Sequence, residues 1–554
     1  MMMEKDAVSN AVKLAKTSTK GGFTLFWGVA ISSIISALGV MIVAGILEEG
    51  EYGIVAIALT APNLLILIRD LGIDQSTIKY TAQYKQENKL TEIKNILIAG
   101  ITFEFLLGII LSVLSYLFSG YIAVKIFNRP DIVRFIQIAS FSIFGNALFK
   151  MSDSAFIGYE KMQYHSISLL IQSSSKTILM IVLVISNFGV RGAVLGHTIA
   201  YLITGIAGVA ILYLKIYKKL INQKNHKYKI LSTLKKMFKY GLPLSGSIIL
   251  GGFLTQFYAF LIAIYLSDQI VGNYNLALNF AVLVAFFVTP VTTLLFPAFS
   301  KIDARKDPET LRNVFIYSVK YASLLIVPAA VMVMTLSQPA VATLFPGKYE
   351  LTPLYLSLYT ILYVYTAFGY LSTGNLIKSQ GRTDVNLKLS ILNTVIAVIL
   401  SLTLIPTYGV VGLISTMLIS VIPTLIISLW WIKKHYNATI DYKSSIKIVL
   451  ASLIAAALTT SVLFFLNISN WIILIIGAII FLTTYLVTAP LIGAINKEDT
   501  KNLKEMLKAL GPLATVFNIL LNIIEKITIK FKKKIIITQQ NKNTKNAKKK
   551  FHKS

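Results

Sequence analysis

Residues Phe188–Gly196 read FGVRGAVLG, and residues Tyr408–Thr416 read YGVVGLIST. In both, a Gly-Val-X-Gly step follows one apolar run and opens the next, and the two steps stand 220 residues apart. A second pair keeps almost the same spacing. YGIVAIAL, Tyr52–Leu59, and VGNYNLAL, Val271–Leu278, are offset by 219 residues. Both pairs open apolar runs. A shared offset at a shared position points to duplication of one unit rather than to chance recurrence of glycine in apolar sequence.

Composition sets the solvent in which that unit folds. Of 554 residues, 55% are hydrophobic and only 14% are charged, well below the share expected of a soluble chain. The apolar residues fall in blocks of about twenty, the length that crosses a hydrocarbon core of roughly 30 Å. Fourteen such spans are expected. The first six are Gly22–Leu47, Tyr52–Leu71, Ile96–Phe118, Ile132–Gly158, Ile167–Ile185 and Gly192–Leu214. The next six are Tyr240–Leu266, Val271–Phe296, Val314–Thr335, Leu354–Leu376, Leu389–Pro406 and Val410–Trp431, and the last two are Ile448–Leu466 and Trp471–Ile492. The first run is too long for the core of a signal peptide and reads as a retained span. There is no cysteine, so disulfides and thiolate metal sites are excluded.

The lysines orient the spans. The connector between spans six and seven carries nine, from Lys215 to Lys239, and connectors of the same parity hold Lys79, Lys85, Lys89, Lys301, Lys433 and Lys434. Connectors of the other parity are short and lysine-poor, as in LEEGEYG and LSDQIVG, although Lys125, Arg129 and Arg134 make one of them basic. The positive-inside rule then places both termini in the cytoplasm of a multi-pass cell-membrane protein. A repeat of six spans, being even, keeps the same orientation in both copies. The expected architecture is all-α: two parallel-repeat six-helix lobes around a central cavity, plus two extra helices. The corresponding boundaries are a cytoplasmic segment 1–21, an N-lobe 22–219, a basic linker 220–239 and a C-lobe 240–434. Two further helices occupy 448–492, and an amphipathic, basic cytoplasmic tail occupies 497–554.

The stretch EEGEYGIVAIALTAPNLLILIRDLGIDQSTIKYTAQY, Glu48–Tyr84, resembles the first-repeat signature of polysaccharide transporters. These are the O-antigen-type flippases of the multidrug/oligosaccharidyl-lipid/polysaccharide exporter superfamily. AFIGYEKMQYHSI, Ala155–Ile167, and IKSQGRTDVNLKLSILN, Ile377–Asn393, are similar to that family's connectors, and YGVVGLIST to its twelfth-span opening. The resemblance covers roughly residues 10 to 495 and rests on diffuse Gly, aromatic and apolar positions. It implies alternating access and movement of a lipid-linked oligosaccharide from the inner to the outer leaflet. The C-terminal extension departs from the family pattern.

Such a substrate joins an anionic phosphate or pyrophosphate to a sugar head and a polyprenyl tail, so its path needs polar and cationic groups. A charge at membrane depth costs about 2.5–3.5 kcal/mol and needs a reason to be there. Span four places Asn146, Lys150 and Asp153 on one helical face, to line the cavity or, on the plainer reading, to neutralise one another. Span five repeats the pattern with Ser168, Gln172 and Lys176, and Lys176 lies too deep to snorkel to water. Glu104, midway along span three, is read either as a carrier of a coupling proton or sodium ion or as a partner of Lys150 or Lys176. Asp153 shares the coupling-ion reading. Arg69 ends span two, as an interface marker or a phosphate contact at the entrance. Asn275 and Asn279 share a face of span eight, for sugar or for a neighbouring helix. Tyr363, Tyr365 and Tyr370 fit packing better than sugar stacking.

The expected substrate-binding set is therefore Lys150, Lys176, Asn146, Asp153, Gln172, Arg69 and Asn279, with no catalytic residue, no metal and no cofactor beyond a coupling H+ or Na+. An enzyme of polysaccharide assembly would need a large outer loop or an acidic catalytic motif, and neither is present. A cation-coupled drug exporter of the same superfamily, or a peptidoglycan-precursor flippase, is the alternative. The net charge of +29 sits mostly in the inner connectors and the tail, suited to anionic lipid of the inner leaflet. No nucleic-acid motif accompanies it. Polysaccharide-assembly enzymes complete the expected partners.

Overall fold

The computed structural model describes residues 27–220, 229–496, 499–500 and 502–504, together with Asn518, Asn522 and Glu525. The N-terminal segment 1–21, the middle of the linker 220–239 and nearly all of the tail 497–554 lie outside the described residues. Among the described residues every regular element is a helix. Lipid leaves backbone groups no water to bond, so a crossing segment satisfies them internally.

The helices of the first part are α1 (Trp27–Ile46), α2 (Glu49–Arg69), α3 (Ile73–Gln86), α4 (Leu90–Tyr121), α5 (Val133–Gly158), α6 (Met162–Leu183) and α7 (Gly189–Leu212). A three-residue α8 (Lys218–Leu220) precedes α9 (Ile230–Tyr265), α10 (Asp268–Phe280) and α11 (Val282–Ser300). Then follow α12 (Pro308–Thr335), α13 (Ser337–Leu344), α14 (Thr352–Val364), α15 (Tyr370–Ser379), α16 (Thr383–Tyr436), α17 (Tyr442–Phe464) and α18 (Asn470–Leu491). Several starts are capped by acids. Asp307 accepts from the backbone of Thr310 at 3.0 Å, and Asp441 from that of Ser444 at 3.2 Å.

Among the described residues ten helical stretches are long and apolar enough to cross a membrane, or eleven if Thr352–Phe368 and Tyr370–Ser379, bent by 54° at Gly369, count as one. Two of the ten hide a corner, and the corners are the quoted repeat. In Met162–Leu220 the helix gives way at Asn187 and Gly189, with Gly189 at φ 49°, ψ −133°. In Thr383–Tyr436 it breaks at Gly409, with φ 59°, ψ −134°. A side chain there would collide with the backbone, which is why glycine stands at both. Three residues on, the second glycine of each step lets the two arms close. A Cβ on Gly192 would fall 2.8 Å from the carbonyl oxygen of Leu183, and one on Gly412 would fall 1.9 Å from that of Leu404. Sequence recurrence here is recurrence of one backbone corner.

Packing divides the chain into two compact units. One comprises Met1–Val282, Gly347–Tyr355 and Leu387–Thr424, and the other Leu283–Pro346, Leu356–Asn386 and Leu425–Ser554. In the first unit α5 packs along α7 and α4, α6 along α7, and α2 along α10. Its core joins Ile73, Tyr80, Ile93, Leu97, Met151, Phe156, Leu212 and Met237. In the second unit α12 packs on α17, and α17 on α18, with Val284, Ala322, Ile326 and Ala330 at a core bordered by Phe287 and Tyr363.

α1 is inverted relative to a soluble amphipathic helix. Ile31, Ile34, Leu38 and Ile42 are exposed, while Gly28, Ser32 and Gly39 turn inward. Gly28 rests on Ser166 and Gly39 on Thr177, both of α6. Small residues at these spacings let two helices approach where lipid offers no hydrophobic drive to association.

Candidate functional site

The seam between α1 and α6 opens into a polar cavity of about 300 Å³, lined by Ser32, Ser33 and Ser36 of α1, Gln172 of α6, and Asn279 beside Val282. All belong to the first compact unit. The side chains are hydroxyls and amides, the donor–acceptor types that match sugar hydroxyls. Lys176, one turn beyond Gln172 on α6, reaches the hydroxyl of Ser36 at 3.5 Å. Among the described residues no carboxylate lies within ion-pair distance of it. Gln172, Lys176 and Asn279, each singled out in the sequence, thus come to one place. Asn279 also donates to the hydroxyl of Tyr52 at 3.1 Å and to the carbonyl of Asn275 at 2.8 Å, so it serves both cavity and helix packing.

The other candidates sit elsewhere. Lys150 does not pair with Asp153. Its side chain is exposed and its ammonium stands 5.4 Å from the centre of the Phe149 ring. Asp153 is buried and bound to His165. Asn146 is buried at the hydroxyl of Tyr201. One helical face therefore divides among three surroundings, because spacing sets direction and not neighbours. Glu104 pairs with neither Lys150 nor Lys176 but with Arg69, which also holds Asp74 at 3.2 Å. Arg69 is consequently a buried ionic knot and not an open phosphate contact. Asp70, Asp74 and Glu104 bring carboxylate oxygens within 4.8 Å of one another, with Arg69 bridging two of the three.

Sequence reading passed over the serines of α1 and over His197 and Tyr201 of α7. The serines carried a signal, since Ser32 and Ser36 stand one turn apart in an otherwise apolar run.

At the end of the bundle that carries the lysine-poor connectors, α2 and α10 touch backbone to backbone. A Cβ on Gly53 would fall 1.8 Å from the carbonyl oxygen of Asp268, and one on Gly272 would fall 2.1 Å from that of Glu49. Gly53 and Gly272 hold the same place in the motifs YGIVAIAL and VGNYNLAL, so the two motifs meet at the same residue. Polar contacts surround them. Asn273 donates to the Glu49 carboxylate at 2.8 Å and accepts from the backbone of Thr352 at 3.0 Å. Lys348 pairs with Glu48 at 2.7 Å, and Arg129 pairs with Asp268 and donates to the carbonyl of Leu266. Arg129, one of the three basic residues of that connector, is thereby spent on a carboxylate.

Comparison with known proteins agrees with this architecture. The family model described as polysaccharide biosynthesis protein matches residues 18–303, just over half of the chain. The model for the lipid II flippase MurJ matches residues 171–485. A putative O-antigen transporter of Shigella dysenteriae is 25% identical over 376 residues, covering 67% of this chain and 89% of its own length. The lipopolysaccharide biosynthesis protein WzxC of Escherichia coli K12 is 22% identical over 383 residues, covering 66% of this chain and 72% of its own. Among solved structures, an inward-closed lipid II flippase MurJ superposes with a TM-score of 0.65 at 17% identity, covering 84% of this chain and 98% of its own. That likeness shows the fold alone. The chain belongs to the polysaccharide biosynthesis protein family, within the multidrug/oligosaccharidyl-lipid/polysaccharide exporter superfamily.

Proposed function

We propose that this protein is a non-enzymatic flippase. It moves a polyprenyl-(pyro)phosphate-linked oligosaccharide from the inner to the outer leaflet by alternating access, for assembly of cell-surface polysaccharide or protein-linked glycan. The observation that carries this reading is Lys176, a midspan cation with no carboxylate partner among the described residues, whose ammonium reaches Ser36 on the wall of a cavity lined chiefly by hydroxyls and amides. An intramembrane lysine with no counter-ion is costly unless the ligand supplies one. In this reading Lys176 meets the phosphate, Ser32, Ser36, Gln172 and Asn279 meet sugar, and the polyprenyl tail stays in lipid. Lys150 and Asn146 extend the path along α5. Arg69 stays in the knot that it forms with Glu104. Glu104 and Asp153 are the acidic groups at depth for a coupling proton or sodium ion, and the second oxygen of Glu104 has no partner.

Fourteen spans follow if the two cornered stretches count as two spans each, the bent pair as one, and Ile249–Tyr265 of α9 as another. Two six-helix lobes, cytoplasmic termini in the cell membrane, a tail on anionic inner-leaflet lipid and contact with assembly enzymes complete the reading. With the lysine-rich connectors inside, the contacts around Gly53 and Gly272 close the outer end. A cation exporter is disfavoured by the chemistry of the cavity, whose only charge nearby is positive among the described residues.

The test is leaflet exchange of a fluorescent polyprenyl-pyrophosphate oligosaccharide in liposomes holding the purified protein. Exchange should require the protein and fall at least tenfold in Lys176→Ala, about 1.4 kcal/mol in the barrier, while Lys176→Arg retains it. Lipid that stays put while an organic cation is pumped would overturn the reading.

A further inference from the structure

A second cavity has no part in the reading above. About 160 Å³ in volume, it is lined chiefly by Leu97, Ile98 and Ile101 of α4, by Leu212 of α7, and by Tyr213 and Tyr217 just beyond. All belong to the first compact unit. α5 packs along both α4 and α7, and the cavity is a furrow between those two. Tyr213 is exposed and Ile98 and Ile101 are half-buried, so the furrow is open along one side. An apolar cavity of about 150 Å³ admits a molecule the size of benzene. This one therefore has room for several methylenes of a hydrocarbon chain, and its aliphatic walls offer little to a sugar.

One end of the furrow is basic. α4 begins after the connector of Lys79, Lys85 and Lys89, and α7 ends at the connector of nine lysines, so the furrow lies toward the lysine-rich side. Lys94 stands one turn before Leu97 and Ile98 on α4, and its ammonium lies 5.9 Å from the centre of the Tyr217 ring. Tyr213–Tyr217 form a single π-helical turn, in which Tyr213 and Tyr217 stack with centroids 5.8 Å and planes 27° apart. Turns of this kind recur at functional sites. Lys215 within the turn and Lys218 and Lys219 of α8 after it are exposed, and α8 packs against both the turn and α4. Residues 213–220 include no acid, and Glu92 is the one acid in the first turn of α4. A hydrocarbon slot thus runs to an end that carries tyrosines and lysines, the residue types of a membrane–water interface.

We propose that this furrow holds one anionic diacyl phospholipid of the inner leaflet. An acyl chain lies between α4 and α7, and the phosphate sits among Lys94, Lys215, Lys218 and Lys219. Charge complementarity selects the occupant. An apolar furrow alone takes any chain, whereas lysines at its end favour a headgroup of net negative charge over a zwitterion. The core that borders the furrow joins Leu97 and Leu212 to Met237 of α9, so the lipid braces the joint where the first six expected spans pass to the seventh. The site is separate from the cavity at Lys176 and does not depend on what the protein transports.

The probes are dioleoyl phosphatidylglycerol and dioleoyl phosphatidylcholine, offered in equal amounts to the purified full-length protein and counted as adducts by native mass spectrometry. Wild type should retain the anionic lipid in roughly tenfold preference. Ile98→Trp fills the furrow and should abolish that preference. Leu117→Trp, at an exposed site toward the far end of α4, should keep it. Lys94→Gln should bring the two lipids toward parity. Equal retention by wild type, or a preference unchanged in Ile98→Trp, overturns the site and assigns the binding to the basic connectors and tail. A polyprenyl monophosphate that displaces phosphatidylglycerol at equimolar amounts overturns the phospholipid as occupant. A phosphatidylglycerol with a diazirine on its acyl chain makes the test independent of variants. In nanodiscs it should label residues 97–102 and 209–217, and labelling confined to other segments overturns the proposal. Leaflet exchange is a separate readout, so failure here leaves the flippase reading standing.

Discussion

At the scale of single residues, membrane depth makes some chemistry conspicuous and hides the rest. Lys176, Gln172 and Asn279 stand out in the sequence because amide and ammonium groups are rare in apolar runs, and the structure puts the two amides on one cavity wall and Lys176 at the Ser36 hydroxyl of that wall. Ser32 and Ser36 were not, since a serine in a membrane helix more often bonds its own backbone, as Ser32 does to Val29 at 3.0 Å. The stripe Asn146, Lys150, Asp153 failed as a unit because its members face different helices. Its Asp153 gives a clean test. Asp153→Asn weakens the buried contact with His165 and should destabilise the protein by about 1–3 kcal/mol, read as a lowered unfolding temperature in detergent. Leaflet exchange at a temperature where both forms are folded should stay within about threefold of wild type if Asp153 only holds α5 to α6. A larger drop assigns it to the substrate path.

At the scale of elements, the corners at Gly189 and Gly409 were legible as a repeated motif, while their geometry was not. Both hold nearly the same φ and ψ, and both are followed by a glycine that seats one arm on the other. Gly409→Ala should cost about 1–3 kcal/mol in backbone strain. Gly412→Ala should cost at least as much by a different route, because its Cβ would fall 1.9 Å from the Leu404 carbonyl oxygen. Gly120→Ala is the control, with nothing within 4 Å of its Cβ, and should be neutral or mildly stabilising. Thermal unfolding of the three variants orders them. Equal stability of Gly412→Ala and Gly120→Ala would show that the arms do not close as described. One break escaped the sequence reading. The tenth expected span bends by 54° at Gly369, because a lone glycine in an apolar run does not mark where its axis turns.

At the scale of the whole molecule, an all-helical membrane fold and the exporter superfamily were legible from composition and a few short motifs. Counting apolar blocks leads to an expectation of fourteen spans, whereas ten long apolar stretches stand among the described residues, because counting blocks is indifferent to the corners that join helices into one stretch. Alternating access requires the contacts around Gly53 and Gly272 to part during each cycle. The chain has no cysteine, so a designed pair is free of background. Glu48→Cys with Lys348→Cys replaces an ion pair of 2.7 Å. Oxidation of that pair should stop leaflet exchange and reduction should restore it, whereas either single variant should exchange normally, an exposed pair contributing only about 0–1 kcal/mol. Undiminished exchange by the oxidised protein would remove this end of the bundle from the gating cycle.

The meeting of Gly53 with Gly272 also bears on which substitutions these two helices can accept. Each of these glycines lies against the backbone of the other's helix, so neither helix is free to change there alone. A side chain gained by one must be accommodated by the other at once, so a single substitution is a fault and only a matched pair is a variation.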